Sequence, residues 1–415
     1  MPSSIQIKVT GNRSSTRSHT MNPTKPSDPS TPDLEMFDFG GAVNVQSYKA
    51  FLVWAAKNAV SDIHVQGSNP IVIERYGRMV PVTPFSLPDN ILSDIIDGLF
   101  DPELRAKVRG GTPQDRAIQL DGDQNKRYGL DRGERLRFRC NVVQATAANM
   151  LTTCAMTQRV IPTAIPELEA MGIEPDLFEA LLPHKGLGLV CGETGSGKST
   201  LLAAIYRYCA NLFPDRKITT AEDPVEYIIG RKGDVLPATQ LELGRDVATF
   251  AEAIRAALRR APSIIGVGEM RDTETILAAV LSALLGHLCL STLHTDSVGE
   301  TIPRLLAGIP IEIREATARD VMGTMQYIIV QRLLRTTDGK RQAVREYLVF
   351  DQPLRNEMAQ VPYTEWGHLL NRKVREKKGR IADKAFTLLR EGIIDRDEML
   401  SVVSPAELRE MEACV

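Results

Sequence analysis

The eight residues Gly192-Glu193-Thr194-Gly195-Ser196-Gly197-Lys198-Ser199 complete the pattern G-x-x-x-x-G-K-[ST]. An apolar run, Gly186 to Cys191, leads into them, and a helical pattern follows as far as Cys209. Few folds accommodate strand, glycine-rich turn and helix in this order. The glycines let the backbone wrap an anion with its N–H groups pointing inward. The unpaired donors at the start of the following helix add to that grip. On this reading residues 192–199, with Thr200, hold the phosphates of a nucleotide. Lys198 reaches the β- and γ-phosphates, and the Ser199 hydroxyl binds Mg²⁺. An ordinary glycine-rich turn is the competing reading, and it leaves the flanking strand and helix unexplained. The motif implies nucleotide binding without saying what work follows, since kinases and GTPases share it.

From about residue 165 strand-like and helical segments alternate. "KITTAEDPVEYII" begins as a strand and breaks at Pro224; "FAEAIRAALRRAP" is a helix with Phe250, Ile254 and Leu258 on one side. "SIIGVGE" is a short strand, "TETILAAVLSALLG" a helix, and "HLCLSTLHT" strand-like again. This alternation predicts an α/β domain with a largely parallel sheet. From about 315 onward the chain reads as helical and charged, with "REYLVF" the exception.

Two acidic clusters follow strands of this domain. Glu269, in Gly268-Glu269-Met270-Arg271-Asp272, either holds magnesium's water shell or polarises the attacking water; a charged surface turn is the alternative. In Glu222-Asp223-Pro224-Val225-Glu226 the proline fixes a turn that puts Glu222 near a γ-phosphate, or leaves it on the surface. His287 and His294 flank an apolar strand seven residues apart, which sends them to opposite faces and makes them a poor metal pair. Arg255 and Arg259 read equally well as solvated helix charges.

The preceding block, about 45 to 155, reads as α+β. A helical pattern covers Val45 to Asp62, with Phe51, Trp54, Ala55 and Val60 on one face. "DIHVQGSNPIVIERYGRMVPV" reads as three strands turning at Gly67-Ser-Asn-Pro70 and Tyr76-Gly77. "LDRGERLRFRCNVVQA" is a hairpin candidate in which Arg135, Arg137 and Arg139 alternate with apolar residues. Residues 1–34, rich in Ser, Thr, Pro and Asn, are expected to be a disordered tail. Residues 156–170, with two prolines, read as a linker, and 401–415 as a C-terminal tail.

Composition narrows the class. The net charge of -2 gives no bulk attraction to nucleic acid, and no stripe of basic and aromatic residues marks a single-strand binder, so direct DNA binding is not expected. No apolar run reaches the roughly eighteen residues that span a bilayer, and the start lacks a signal-peptide core. Six scattered cysteines without a C-x-x-C pair fit a reducing, cytoplasmic setting.

Taken in order, the glycine-rich motif, the acidic box at 222–226, the strand ending at Glu269 and the segment His287 to His294 resemble the four signature blocks of the secretion ATPase superfamily. That superfamily covers pilus retraction motors and type II and type IV secretion ATPases. "SDIHV" at 61–65, "RFRCNV" at 137–142, "VQRLL" at 330–334 and Glu346 are similar to further blocks of its pilus retraction branch. The resemblance spans about 50 to 400. It implies a PAS-like α+β domain (45–155) before a RecA-like P-loop NTPase domain (171–400) with a helical C-terminal part, and a homo-hexameric ring that hydrolyses ATP with Mg²⁺. It implies Glu222 as general base, Glu269 as support for Mg²⁺, and Arg137 and Arg139 as arginines reaching the phosphates. His287, His294, Asp223, Glu226 and Arg271 would couple the site to its surroundings. The superfamily's usual Asp-Pro-Asp before the second acidic strand is replaced by Ala261-Pro262-Ser263. "ALRRAPSIIGVGEMRD" is more similar to the DotB/TraJ-type branch of type IVB secretion and conjugation. The implied setting is the cytoplasmic face of an inner-membrane secretion or conjugation complex. A pilus retraction ATPase and a nucleotide-gated scaffold with little turnover are the alternatives.

Overall fold

Two β-sheets, formed by separate stretches of the chain, carry the architecture. The computed structural model describes residues 36–75, 78–147, 150–161, 164–230 and 234–413. Of the unit Met1–Asp38 only 36–38 are described, without regular structure; Phe39–Val415 form one compact unit. The expected N-terminal tail and the Tyr76-Gly77 turn lie outside the described residues.

The first sheet is antiparallel. Its elements are α1 (Val45–Lys57), β1 (Val60–Gln66), β2 (Val72–Arg75), β3 (Arg78–Pro81), α2 (Asp89–Leu99), α3 (Pro102–Arg109), β4 (Gln114–Asp121), β5 (Arg135–Ala147) and β6 (Met150–Ile161). The strand order is β3-β2-β1-β6-β5-β4. Asn44 caps α1 by accepting from the amides of Gln46 and Ser47, which fixes the helix start. Phe51, Leu52 and Ala55 are buried from it. The helix stops at Lys57, and Val60 opens β1 rather than continuing the helical face. The hairpin expected at Arg135 is β4–β5, in register from Gln114 opposite Val142 to Asp121 opposite Arg135; Leu130 to Glu134 lie in its connection. The expected linker begins inside β6, which pairs with β1 as far as Arg159 and with β5 as far as Ile161. A central strand cannot be a linker, because its amides and carbonyls are committed on both sides.

The second sheet follows α4 (Pro175–Ala180). Its elements are β7 (Gly186–Cys191), α5 (Lys198–Leu212), β8 (Ile218–Glu222), β9 (Thr239–Glu242), α6 (Phe250–Leu258), β10 (Ile264–Val267), α7 (Thr273–Leu284), β11 (Leu288–Leu293), α8 (Val298–Ala307), α9 (Ile311–Thr324), β12 (Met325–Arg335) and β13 (Arg341–Val349). The strand order is β13-β12-β7-β11-β10-β8-β9, parallel throughout except for β12–β13. Strands β7, β10 and β11 are buried along their whole length, as a parallel sheet covered on both faces requires. The expectation of mainly helix after 315 misses the eleven-residue β12, whose Met-Gln-Tyr-Ile-Ile-Val run is as apolar as a buried helix segment.

Helices α10 (Gln352–Ala359), α11 (Trp366–Glu376), α12 (Ile381–Arg390), α13 (Arg396–Leu400) and α14 (Pro405–Ala413) close the chain. The expected C-terminal tail instead contributes Val403 and Leu408 to the core. Among the described residues no helix is long and apolar enough to cross a membrane, and the five of the six cysteines that are described are free and buried.

Candidate functional site

The carboxyl ends of β7, β8, β10 and β11 open on one cleft of about 420 Å³, the usual place for a ligand in a parallel sheet. The loop from β7 to α5 forms its floor. Gly192 has φ +136°, and a Cβ there would lie 2.3 Å from the Gln331 carbonyl oxygen, so only glycine fits. Gly197, at φ +85°, is the N-cap of α5 and supplies no capping side chain, so the first amides of the helix remain available to an anion. Lys198 is 9% exposed, and its Nζ donates to the carbonyls of Gly192 and Glu193, at 2.8 Å each. Burial lowers its pKa, and the Glu269 carboxylate opposes that shift. Thr194, Gly195, Ser199 and Thr200 line the cleft. The Thr200 hydroxyl meets the Tyr227 hydroxyl at 2.8 Å, and Ser196 is buried with its Oγ unpartnered among the described residues. Glu193 is exposed and does not line the cleft.

The two acids stand at strand ends. Glu222 closes β8, and its Oε1 accepts from Thr220 Oγ1 (2.6 Å) and Gln240 Nε2 (3.1 Å). Burial raises its pKa above the ordinary glutamate value; those hydrogen bonds, with one from the Glu226 amide, act in the opposite direction. A buried carboxylate raised in this way is a better proton acceptor than an exposed one when it is ionised. The Asp223–Pro224 bond is cis, Asp223 is exposed to the cleft and Glu226 lines it. Glu269 follows β10. Arg271 Nε donates to its Oε2 at 2.6 Å, and His294 Nε2 lies 3.4 Å from its Oε1. Thr292 Oγ1 holds the adjoining Gly268 carbonyl at 2.6 Å.

Mg²⁺ binds few protein oxygens and completes its shell with waters and phosphate. The Ser199 hydroxyl and the Glu269 carboxylate line the same cleft, which fits that mode. Among the described residues no cluster of three or more His, Cys, Asp or Glu offers an all-protein cage.

The first sheet supplies the remaining wall. Arg139 and Arg159 are register partners across β5 and β6, and both line the cleft. The Arg139 guanidinium makes no hydrogen bond or ion pair among the described residues, whereas Arg159 Nε donates to Asp62 at 2.9 Å. Arg137 departs from the expectation that it faces phosphate. It is 6% exposed, and its Nη1 donates to the carbonyls of Val225 and Glu226 (2.9 Å for the latter). Two residues before Arg139 on the same strand face, it meets the 222–226 turn instead of the cleft.

His287 is not brought to the site. It immediately precedes β11, with Nδ1 2.7 Å from the Pro262 carbonyl, roughly 20 Å of strand from His294. Arg255 pairs with Glu274 at the surface (2.8 Å), and Arg259 is exposed at the end of α6; neither lines the cleft. Sequence reading missed Arg159, inside the supposed linker, and Gln240, on the unread strand β9. The run Thr157-Gln158-Arg159-Val160-Ile161 does not alternate in polarity and so carries no strand signal.

A RecA-like P-loop NTPase with an α+β domain set against its nucleotide cleft is the class these features define. The chain belongs to the family described as Type II/IV secretion system protein, whose model matches residues 46–373. It is an ATPase. It is 32% identical to the type IV pilus retraction ATPase PilT of Pseudomonas aeruginosa over 74% of this chain and 83% of that one. Among solved structures it is similar to the ATPase DotB of Legionella pneumophila, with TM-score 0.74 and 33% identity over 85% of this chain and 95% of that one. A pilus retraction motor PilT with bound ADP gives TM-score 0.72 and 29% identity, covering 87% and 98%.

Proposed function

We propose that this chain is the motor of a type IVB-like secretion or conjugative transfer system, working as a homo-hexamer on the cytoplasmic face of an inner-membrane complex. The observation that carries a motor reading is the shared cleft: Arg139 and Arg159 of the first sheet line the space into which Lys198 and Glu222 of the second are directed. Loss of phosphate charge there changes the attraction between two sheets, which a scaffold without turnover would not need. Similarity to DotB over 95% of that chain supports the type IVB branch.

In the proposed reaction Lys198 and the loop amides bind and orient the phosphates of ATP. Glu222 takes the proton of a water as its oxygen bonds to the γ-phosphorus and the bond to the ADP oxygen breaks. Held at Ser199 and Glu269, Mg²⁺ would supply charge neutralisation at the phosphates. Arg139 and Arg159 stabilise the charge that develops, while Arg271 and His294 fix the Glu269 carboxylate. Likeness to PilT favours pilus retraction as the second reading. A strain lacking the gene distinguishes them: complementation by the native chain and not by Lys198→Ala should restore substrate transfer. Restored pilus retraction with transfer unaffected by the deletion would select the second reading.

A further inference from the structure

A buried chain of hydrogen bonds joins the anion-binding loop to the segment between the two sheets, and none of its members lines the cleft. Beyond the last parallel pair of β7 and β12, Cys191 with Val330, the next residues Gly192 and Gln331 lie side by side. Gln331 is 1% exposed. Its Nε2 donates to the Ser196 carbonyl at 2.7 Å. Its Oε1 accepts from Arg345 Nε at 2.9 Å, the two residues being register partners on β12 and β13. Arg345 is 2% exposed, and its other two nitrogens donate to the carbonyls of Met171 and Gly172, at 3.1 Å each. Gly172, at φ +59°, ends the short helical turn Leu168–Met171 that follows β6. Among the described residues the guanidinium has no carboxylate in contact; burial lowers its pKa, and all three nitrogens are spent on fixed acceptors.

Stability alone does not call for this arrangement. A buried guanidinium with no carboxylate in contact, the Glu174 charge reaching it only through space, is a costly way to fill space beside an apolar strand pair. It is well suited to fixing direction, because the planar fork bonds a side-chain carbonyl on one side and two backbone carbonyls on the other. The same amide that receives it closes over Gly197, where a Cβ would lie 2.9 Å from Gln331 Nε2.

We infer that Gln331 and Arg345 are positioning residues that couple the conformation of the 192–199 loop to the segment 168–172 between the sheets. Anion binding that draws the Ser196 peptide inward pulls on Gln331, and Arg345 passes the displacement to Met171 and Gly172. The coupling requires nucleotide binding and not any particular transport role.

The test uses the full chain, with ADP as the probe. Amide exchange at 168–173 is measured with and without ADP, beside ADP affinity, KM for ATP and melting midpoint. Wild-type protein should show slower exchange at 168–173 when ADP is bound. Gln331→Met, unbranched and uncharged, should weaken ADP binding and raise KM about tenfold while changing kcat little. It should also abolish the ADP-dependent slowing. Arg345→Lys keeps the charge without the fork and should leave affinity closer to wild type while losing the slowing. Exchange at 168–173 that is indifferent to ADP in the wild type overturns the proposal. So does a Gln331→Met protein that melts earlier yet keeps both its ADP affinity and the slowing, which would make the network structural only. The wild-type arm needs no variant, so misfolding of either substitution leaves the proposal open to refutation.

Discussion

Replacing Arg137 by Met asks whether the first sheet holds the proposed general base in place. The guanidinium donates to the Val225 and Glu226 carbonyls from a nearly closed site. Hydrogen bonds from a charged donor contribute about 1.5–3 kcal/mol each. Desolvation, which lowers the pKa of this arginine, offsets part of that. A net loss of roughly 2 kcal/mol remains, about thirtyfold in the equilibrium that keeps the turn against β5. The Glu226 amide of this turn is hydrogen-bonded to Glu222, so a loosened turn loses one of the groups that favour the ionised base. Arg137 and Glu222 also attract each other through space. Both losses raise the Glu222 pKa, so the acid limb of kcat should move to higher pH and kcat should fall by up to about thirtyfold. Arg139→Met removes a side chain without partners among the described residues. It should leave the melting midpoint and the position of the acid limb alone while lowering kcat. Phosphate release across the acid range, with amide exchange at 225–227, reads both variants. An Arg137→Met protein with wild-type kcat and an unmoved acid limb would refute the reasoning.

Lys198→Ala should preserve the fold and cut turnover a hundredfold or more, measured as phosphate release, because it removes the buried cation of the loop. Glu222→Gln should still bind ATP but lose about 10²–10⁴ in single-turnover rate, and the acid limb of the wild-type profile should disappear with it; a persisting limb would move the base to Glu226 or Glu269. Glu346 accepts from the Val298 amide at 2.7 Å, and burial raises its pKa above the ordinary value. Its contribution to stability is therefore complete below the unfolded-state pKa and is lost as pH rises through the folded-state pKa. The melting midpoint of wild type should fall across that window relative to Glu346→Gln, and parallel curves would show that the carboxyl is not buried as described.

The P-loop, the alternation of strands and helices and both acids were legible because each rests on local chemistry: glycines where φ is positive, a carboxylate at the end of an apolar strand. Arg137 was legible as a site residue but not in its task. Its alternation with Leu136 and Phe138 gives its strand face, and nothing in the spacing says that the 222–226 turn lies above it. Strand β12 escaped because its middle, Tyr327 to Val330, is buried on both faces and has no polar alternation to betray its period. Arg159 escaped for a different reason: prolines just beyond β6 suggested a linker, while the pairing that makes β6 central involves residues about a hundred positions away. His287 was drawn to the site by the sequence block it begins, although the rise of a strand puts it at the opposite end of β11.

Strand β13 carries two opposite charges on consecutive residues. Arg345 serves one face of the sheet, toward Gln331 and Gly172, and Glu346 serves the other, toward the start of α8. Side chains alternate strictly along a strand, so inserting one residue between Ala343 and Val344 would exchange the faces. Arg345 would then point its cation at the positive end of α8, and Val344 would occupy the place of the fork. Substitutions elsewhere in the C-terminal third lose one contact at a time, but a single-codon insertion here reverses the polarity of both faces together. Reading-frame-preserving insertions should therefore be tolerated in the exposed Thr337–Lys340 turn and lethal to folding three to six residues later.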